Sequence, residues 1–405
     1  MSLIATAEAA LERIIADEPR LAAYAFVDTT TVLDEAGRLD GAGTDGPLAG
    51  ETVAIKDIFD TADMPTECGS PIHAGRRPQR DAAAVAAIRA AGGLVVGKAV
   101  TTEFAHMTAG PTRNPHDTNR SPGGSSSGSA ATVAAGGATM ATGTQTAGSI
   151  IRPAAFCGIV GFKPTFATIS RSGLSLFGET LDTIGGFGRD VAGAARLVGA
   201  MADRPGLIAP QAGGAPRLAL WRTPDAHLAD DAAVAELERV ADAAARAGAQ
   251  VQDFPGGAAW DALQRAHATI MAHEGARALA HERIHHASLL SDGLLAYLTE
   301  GAGIDGLAYL AARQEALSQG RSLVAEMSGF DAILTLSAHG EAPLAADGTG
   351  HPHFNRVWTL LGVPAVHLPT GTGPAGLPLG VQVVGVPHAD EHMVGTALWL
   401  ERAVG

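Results

Sequence analysis

From Ser121 to Ile151 the chain runs for 31 residues without a charge, and 18 of those residues are Gly, Ser or Thr. Gly/Ser clusters most often make flexible linkers. Here Pro122-Gly123-Gly124-Ser125-Ser126-Ser127-Gly128-Ser129 instead opens straight into Ala130-Ala131-Thr132-Val133-Ala134-Ala135-Gly136, a small-residue helix. Apolar Met140 to Gly143 and the loop Thr144-Gln145-Thr146-Ala147-Gly148-Ser149 follow. A linker does not lead into packed elements, and a run this polar does not partition into lipid. The run therefore reads as part of the packed fold. Two known uses of such segments do not fit: the Gly-x-x-x-x-Gly-Lys-Ser/Thr phosphate loop is absent, and neither Ser125 nor Ser149 is the central serine of a Gly-x-Ser-x-Gly elbow.

The rest of the chain reads as α/β. A helix is expected over residues 2 to 17, a strand over Leu21 to Val27, and a Gly/Asp-rich loop to about Gly50. Val53 to Ile55, Asp81 to Ala91 and Leu94 to Val96 form a strand, helix, strand unit, which implies parallel pairing. Further strands are expected at Arg217 to Trp221, Ala332 to Thr335, Ala365 to Leu368 and Leu379 to Val384. Helices fill the space between the first two, and a helix closes the chain from Asp390 to Glu401. No repeat of fixed period appears, so one domain is the simplest organisation.

Composition excludes several classes. At 46% apolar residues the chain has material for a large core. A net charge of −14 supplies no basic stripe for phosphates, so direct nucleic-acid or anionic-membrane binding is not expected, and a small neutral or cationic substrate fits better. Cys68 and Cys157 have neither a disulfide framework nor zinc spacing. Glu8, Glu12 and Arg13 interrupt the stretch that an export signal would keep apolar, so the cytoplasm is the expected location.

Of the 28 basic residues only Lys56, Lys98 and Lys163 are lysine; the rest are arginine. Arginine does not deprotonate in a protein, whereas a desolvated lysine can become a base, so a position that must lose a proton cannot accept the exchange. For Lys98 and Lys163 tight burial is the expected reason. Lys56 follows an apolar strand, where α/β sites are built, and is the candidate for chemistry.

Val53-Ala54-Ile55-Lys56-Asp57, Gly123 to Ser129 and Gly143-Thr144-Gln145-Thr146-Ala147-Gly148-Ser149 together resemble the amidase signature family. Gly97-Lys98, Glu103-Phe104-Ala105, Pro153 to Gly158, Gly161 to Thr165, Gly362 to Ala365 and Gly376 to Gln382 agree in order and spacing. The resemblance covers 45–190 and 355–403 well and 205–340 hardly at all. It implies a single domain with an α/β fold: a central twisted mixed sheet of about eleven strands flanked by helices on both faces. Residues 45–190 and 355–403 would form the core, and 205–340 a variable helical region that sets specificity.

The same resemblance makes Ser149 the nucleophile, Ser125 a bridging serine after a cis peptide bond, and Lys56 the ultimate base. Backbone N–H groups of Thr146, Ala147 and Gly148 would form the oxyanion hole. The expected reaction is cleavage of a small carboxamide or ureide C–N bond to a carboxylate and an amine or ammonia through an acyl-Ser149 intermediate, with no cofactor and no metal. A homodimer is implied. The alternative is the amidase-like subunit of a tRNA-dependent amidotransferase complex, whose other subunits would carry the RNA contacts. The relay is chemically sensible: a serine hydroxyl needs a neighbouring proton acceptor, and a second hydroxyl serves only if it passes the proton to a stronger base.

Three positions depart from the family pattern. Gln145 stands where relatives have aspartate, Ala147 where they have glycine, and Ile151 where they have arginine, with Arg152 one residue later. The joint loss of aspartate and arginine is expected to remove a structural ion pair without touching the relay. Other residues carry less. His281, His285 and His286 share helical spacing but lack a carboxylate or cysteine to complete a metal site. His351 and His353 are read first as structural and second as pocket residues, Phe104, Met107 and Trp358 are candidate substrate contacts, and Cys157 is expected to be a packing residue.

Overall fold

The computed structural model describes residues 2–43 and 45–404. Eleven strands form one mixed sheet: β1 (Tyr24–Phe26), β2 (Thr52–Lys56), β3 (Leu94–Ala99), β4 (Met140–Gln145), β5 (Val160–Lys163), β6 (Thr183–Gly188), β7 (Arg217–Trp221), β8 (Gln250–Asp253), β9 (Ala332–Leu336), β10 (Ala365–Thr372) and β11 (Pro378–Val384). Their spatial order is β1-β3-β2-β4-β6-β5-β10-β11-β9-β7-β8. β2 runs parallel to both β3 and β4, as β7 does to β8 and β9, and the six strands from β4 to β9 in that order pair antiparallel. The expected parallel β2/β3 unit is therefore present, with helix Ala83–Ala90 as its crossover.

Strand alternation sorts side chains onto two faces. Val53 and Ile55 of β2 join a core with Ile88, Leu197, Val240 and Met393, so the helices Ala83–Ala90, Val191–Ala202, Asp231–Arg246 and Asp390–Val404 cover one face. Ala54 points the other way, into a cluster with Leu11, Ile14, Val32 and Val133. On that second face a separate cluster gathers Trp221, Trp260, Leu323 and Trp358 under the helices Trp260–Ala278 and Gly306–Met327. The short helix Ile151–Cys157 bridges the two: Ile151 belongs to one cluster, Ala154 and Cys157 to the other. Lys56 has the parity of Ala54 and so faces the seam between them.

Some local expectations change. The loop expected from about residue 28 to Gly50 contains a helix, Thr29–Ala42, capped by Asp28, whose carboxylate accepts from Thr30 N at 3.0 Å and Thr31 N at 3.3 Å. Val32, Ala36 and Leu39 give it a buried stripe that its glycines and aspartates obscure. The strand expected from Leu21 is shortened because the first helix extends to Leu21 and ends at Ala22 in the left-handed region, φ 47°. β5, β6 and β8 had no periodic signal. β6 is rich in glycine because its neighbours are close: a Cβ on Gly185 would lie 2.2 Å from Phe162 O.

Gly128 shows why the uncharged run had to be small. A Cβ there would lie 2.1 Å from Ala23 O and 2.4 Å from Val100 N, both backbone atoms with no freedom to rotate away. Gly128→Ala is expected to destabilise the chain by about 3 kcal/mol or more, measurable by denaturant unfolding; a stability unchanged from wild type would contradict the close approach.

Candidate active site

Lys56 ends β2 beside the parallel strand β4. Its N–H donates to Thr142 Oγ1 at 2.9 Å, and its Nζ lies 2.8 Å from both Ser125 Oγ and Thr144 Oγ1. The residue is fully buried. Burial lowers the ammonium pKa to about 7, against the opposing pull of the Asp182 carboxylate. Among the described residues no carboxylate lies within ion-pair distance of this amine.

The other lysines differ in their partners. Lys98 pairs with Asp57 at 2.9 Å and donates to Phe59 O, Pro65 O and Thr66 Oγ1. Lys163 Nζ donates to the carbonyls of Pro164 and Val363. Both are buried, as expected, and both serve to tie loops. Of the three, Lys56 alone has only hydroxyl partners for its amine, and a hydroxyl can exchange a proton with it.

Ser125 follows a cis bond from Gly124 and sits just before the helix Ser127–Ala135. Its carbonyl accepts from Thr102 N at 3.1 Å, and the Gly124 carbonyl accepts from Arg152 Nη2 at 2.6 Å. Ser126 Oγ donates to the Ser149 carbonyl at 2.6 Å, which ties the first serine loop to the second. Ser149 is 6% exposed and opens into a cavity of about 240 Å³. The structure thus closes the Lys56–Ser125 link and brings the Ser149 loop to the same place. Among the described residues no hydrogen bond joins the Ser125 and Ser149 hydroxyls, and such bonds often tighten only when substrate is bound.

The loop from Thr146 to Ser149 has its carbonyls tied back and its N–H groups free. Thr146 O is 2.9 Å from His267 Nε2, Ala147 O accepts from Thr359 Oγ1 at 2.8 Å, and Gly148 O accepts from Arg152 N at 2.9 Å. Among the described residues the N–H groups of Thr146, Ala147 and Gly148 have no acceptor. Thr146 Oγ1 also donates to buried Asp182, which accepts from Phe177 N and Gly178 N. A Cβ on Gly148 would meet Asn355 Oδ1 at 2.5 Å, so a larger residue here would displace the Asn355 side chain.

Gln145 explains its departure from the family pattern. Its Oε1 accepts from Ile150 N at 2.9 Å and Ile151 N at 3.0 Å, and its Nε2 donates to Thr359 Oγ1 at 3.0 Å. A neutral network thus holds the start of the helix Ile151–Cys157 with no ion pair. Gln145→Ala is expected to leave buried N–H groups unpaired at about 1–3 kcal/mol each, seen as a lowered midpoint of thermal or denaturant unfolding; Gln145→Glu, which keeps the acceptor, should lose less.

The cavity at Ser149 is lined by Met107 and His351 from the sequence candidates, together with Ala105, His106, Met271, Tyr297, Pro352, Arg152 and Arg356. Phe104, His353 and Trp358 do not line it; Trp358 is instead packed against Trp221 and Trp260. Cys157 is buried, its Sγ against Pro122 O, and burial pushes its thiol pKa up. The His281 ring lies 4.9 Å from that of His285, tilted, and 5.2 Å from that of His286, edge-on. A larger groove, about 450 Å³, is lined by Arg313, Gly320 and Leu360 and contains none of Lys56, Ser125 or Ser149. Thr144, Asp182, Tyr297 and Arg356 were not legible in the sequence, because each reaches the site from a separate element.

Comparison with known proteins agrees with this architecture. A solved amidase superposes with a TM-score of 0.91 at 29% identity, over 100% of this chain and 97% of that chain. The peptide amidase of Stenotrophomonas maltophilia gives 0.85 at 29% identity, over 100% and 94%. A chain described in connection with a vestigial protein complex and the origins of an s-triazine catabolic enzyme gives 0.91 at 26% identity, over 100% and 96%. Among curated proteins, a glutamyl-tRNA(Gln) amidotransferase subunit of Symbiobacterium thermophilum is 46% identical over 227 residues, 53% of this chain and 46% of its own length. The corresponding subunit of Acidothermus cellulolyticus is 48% identical over 202 residues, 47% of this chain and 40% of its own. The chain thus spans less than half the length of these curated relatives. The family model described as Amidase matches residues 5–394, and with an eleven-stranded mixed sheet shared with solved amidases the chain belongs to the amidase signature family.

Proposed function

We propose that the chain cleaves a carboxamide C–N bond by acyl transfer to Ser149. Neutral Lys56 takes a proton from Ser125 Oγ as Ser125 takes one from Ser149 Oγ, and the Ser149 oxygen attacks the carbonyl carbon. The N–H groups of Thr146, Ala147 and Gly148 receive the oxyanion, each worth on the order of 2.7–4 kcal/mol in related sites. The relayed proton goes to the departing nitrogen, which leaves as ammonia or amine. Water then attacks the acyl ester, losing its proton to the same relay, and the carboxylate is released. The observation that carries this reading is the buried Lys56 amine, 2.8 Å from Ser125 Oγ, with a pKa near neutrality.

The relay fixes the sign of its pH dependence. Only unprotonated Lys56 accepts a proton, so kcat/KM is expected to rise as pH increases through about 7 and to level off above it. A rate flat from about pH 5.5 to 8.5 would remove Lys56 from the role of base.

This chemistry serves two settings: a free-standing amidase acting on a small carboxamide or ureide, and the amidase-like subunit of a tRNA-dependent amidotransferase. The names of the curated relatives favour the second. In either setting the chain is read as one domain, with 45–190 and 355–403 as the core and 205–340 as the specificity region; the single continuous sheet supports that reading. The deciding experiment is ammonia release from a carboxamide panel that includes glutamine, by the purified chain alone. Full turnover by the chain alone, as a monomer or the implied homodimer, overturns the subunit reading, and turnover that requires further subunits overturns the free-standing one.

A further inference from the structure

The cavity at Ser149 holds two arginines and no acid. Arg152 is 2% exposed, and although Nη2 donates to Gly124 O at 2.6 Å and lies 3.4 Å from Thr349 Oγ1, its Nε and Nη1 are buried with no partner. Nε of half-buried Arg356 is likewise buried and unpartnered. Among the described residues neither arginine enters an ion pair, and no Asp or Glu lines the cavity. Burial lowers the Arg152 pKa to about 9, with the Arg356 charge acting in the same direction, so the guanidinium still holds its proton at neutral pH. Two like charges in one cleft, with donors left unpaired, form an arrangement that folding alone disfavours.

We infer that this cavity binds a substrate carboxylate between Arg152 and Arg356 while its amide carbonyl faces Ser149, so that the preferred substrate class is the monoamide or ureide of a short dicarboxylic acid. The inference deepens the acyl-Ser149 reading and rests on it. Guanidinium donors match carboxylate oxygens in geometry and charge. The hydrogen bond from Arg152 N to Gly148 O makes residues 148–152 a helical turn, so Arg152 sits one turn beyond Ser149 and the two ends of the substrate are only a few atoms apart. Ala105, Met107, Met271 and Pro352 supply apolar wall for a short methylene spacer. An amide that also carries an ammonium, such as glutamine, finds no acidic partner in this lining. The chain's net charge of −14 suggested a neutral or cationic substrate; the local charge of the cavity is of the opposite sign.

The test compares kcat/KM for succinamate, butyramide and glutamine with the full chain. Butyramide keeps the amide and its two-methylene spacer and replaces the carboxylate by a methyl group. Succinamate is expected to exceed both by about 30-fold or more, and Arg356→Gln to reduce the succinamate-to-butyramide ratio by about 10-fold or more. A ratio near one in the wild type, a ratio unmoved by Arg356→Gln, or glutamine as the best of the three overturns the proposal. Calorimetric binding of succinamate to Ser149→Ala, and to the Ser149→Ala, Arg356→Gln double variant, keeps the two readings separate. Binding weakened about 10-fold by the second change supports the carboxylate site even if no amide is turned over, and equal binding by the two variants overturns it even if the relay operates.

Discussion

Ser149→Ala is expected to reduce amide turnover by on the order of 10⁶-fold while leaving the fold intact, the scale seen when a serine hydrolase loses its nucleophile. The change removes one oxygen from a residue whose backbone is already held: Ser126 Oγ binds its carbonyl, and Gln145 Oε1 binds the two N–H groups that follow. Nothing in the packing depends on the hydroxyl, which makes no hydrogen bond with Ser125 in the resting site. The readout is turnover together with mass spectrometry of the chain in the presence of a slow-turnover ester. Wild type should carry the acyl group and Ser149→Ala should not. An acylated Ser149→Ala chain would place the nucleophile elsewhere, and a variant with turnover above about one per cent of wild type would remove Ser149 from the first step.

The second large effect is expected at Lys56. Lys56→Met keeps the length of the side chain and removes the proposed base, and kcat is expected to fall by about 10²–10⁴-fold, the range for a positioned general base. Because the lysine is fully buried and its amine has only the hydroxyls of Ser125 and Thr144 as partners, an apolar replacement also removes a desolvated amine. Stability of Lys56→Met should therefore be close to that of wild type or above it, which separates lost chemistry from lost fold in denaturant unfolding. The double variant Lys56→Met, Ser149→Ala should be no slower than Ser149→Ala, since residues of one relay act as a unit. A Lys56→Met enzyme that retains wild-type kcat would defeat the relay.

The two changes probe opposite ends of the proposed path, whose parts were unequally visible beforehand. Lys56, Ser125 and Ser149 stood out because each sits in a stretch whose composition is abnormal: one lysine among arginines, and serines within a run lacking charge. Gln145 also stood out, as a departure, and the structure gives it the work of holding two N–H groups without a charge. Thr144 and Asp182 did not, although Thr144 is the second partner of the Lys56 amine and Asp182 fixes Thr146. Nothing about a threonine in β4 or an aspartate before β6 distinguishes it locally. Among elements, the helix Thr29–Ala42 was hidden by its glycines, and β6 by having glycine where a strand normally shows β-branched residues.

Three properties were readable from the residues alone: the class of fold, the parallel unit around β2, and the singling out of Lys56 among the lysines. They follow from local rules, namely periodicity and the chemistry open to a lysine but closed to an arginine. It took the packed chain to show that Lys56 meets hydroxyls while Lys98 meets a carboxylate, and that Arg356 enters the same cavity as Arg152 and Ser149. Those outcomes depend on which strand lies beside which and on which helix closes over the seam, and contacts between residues so distant in the chain leave no periodic trace in either segment.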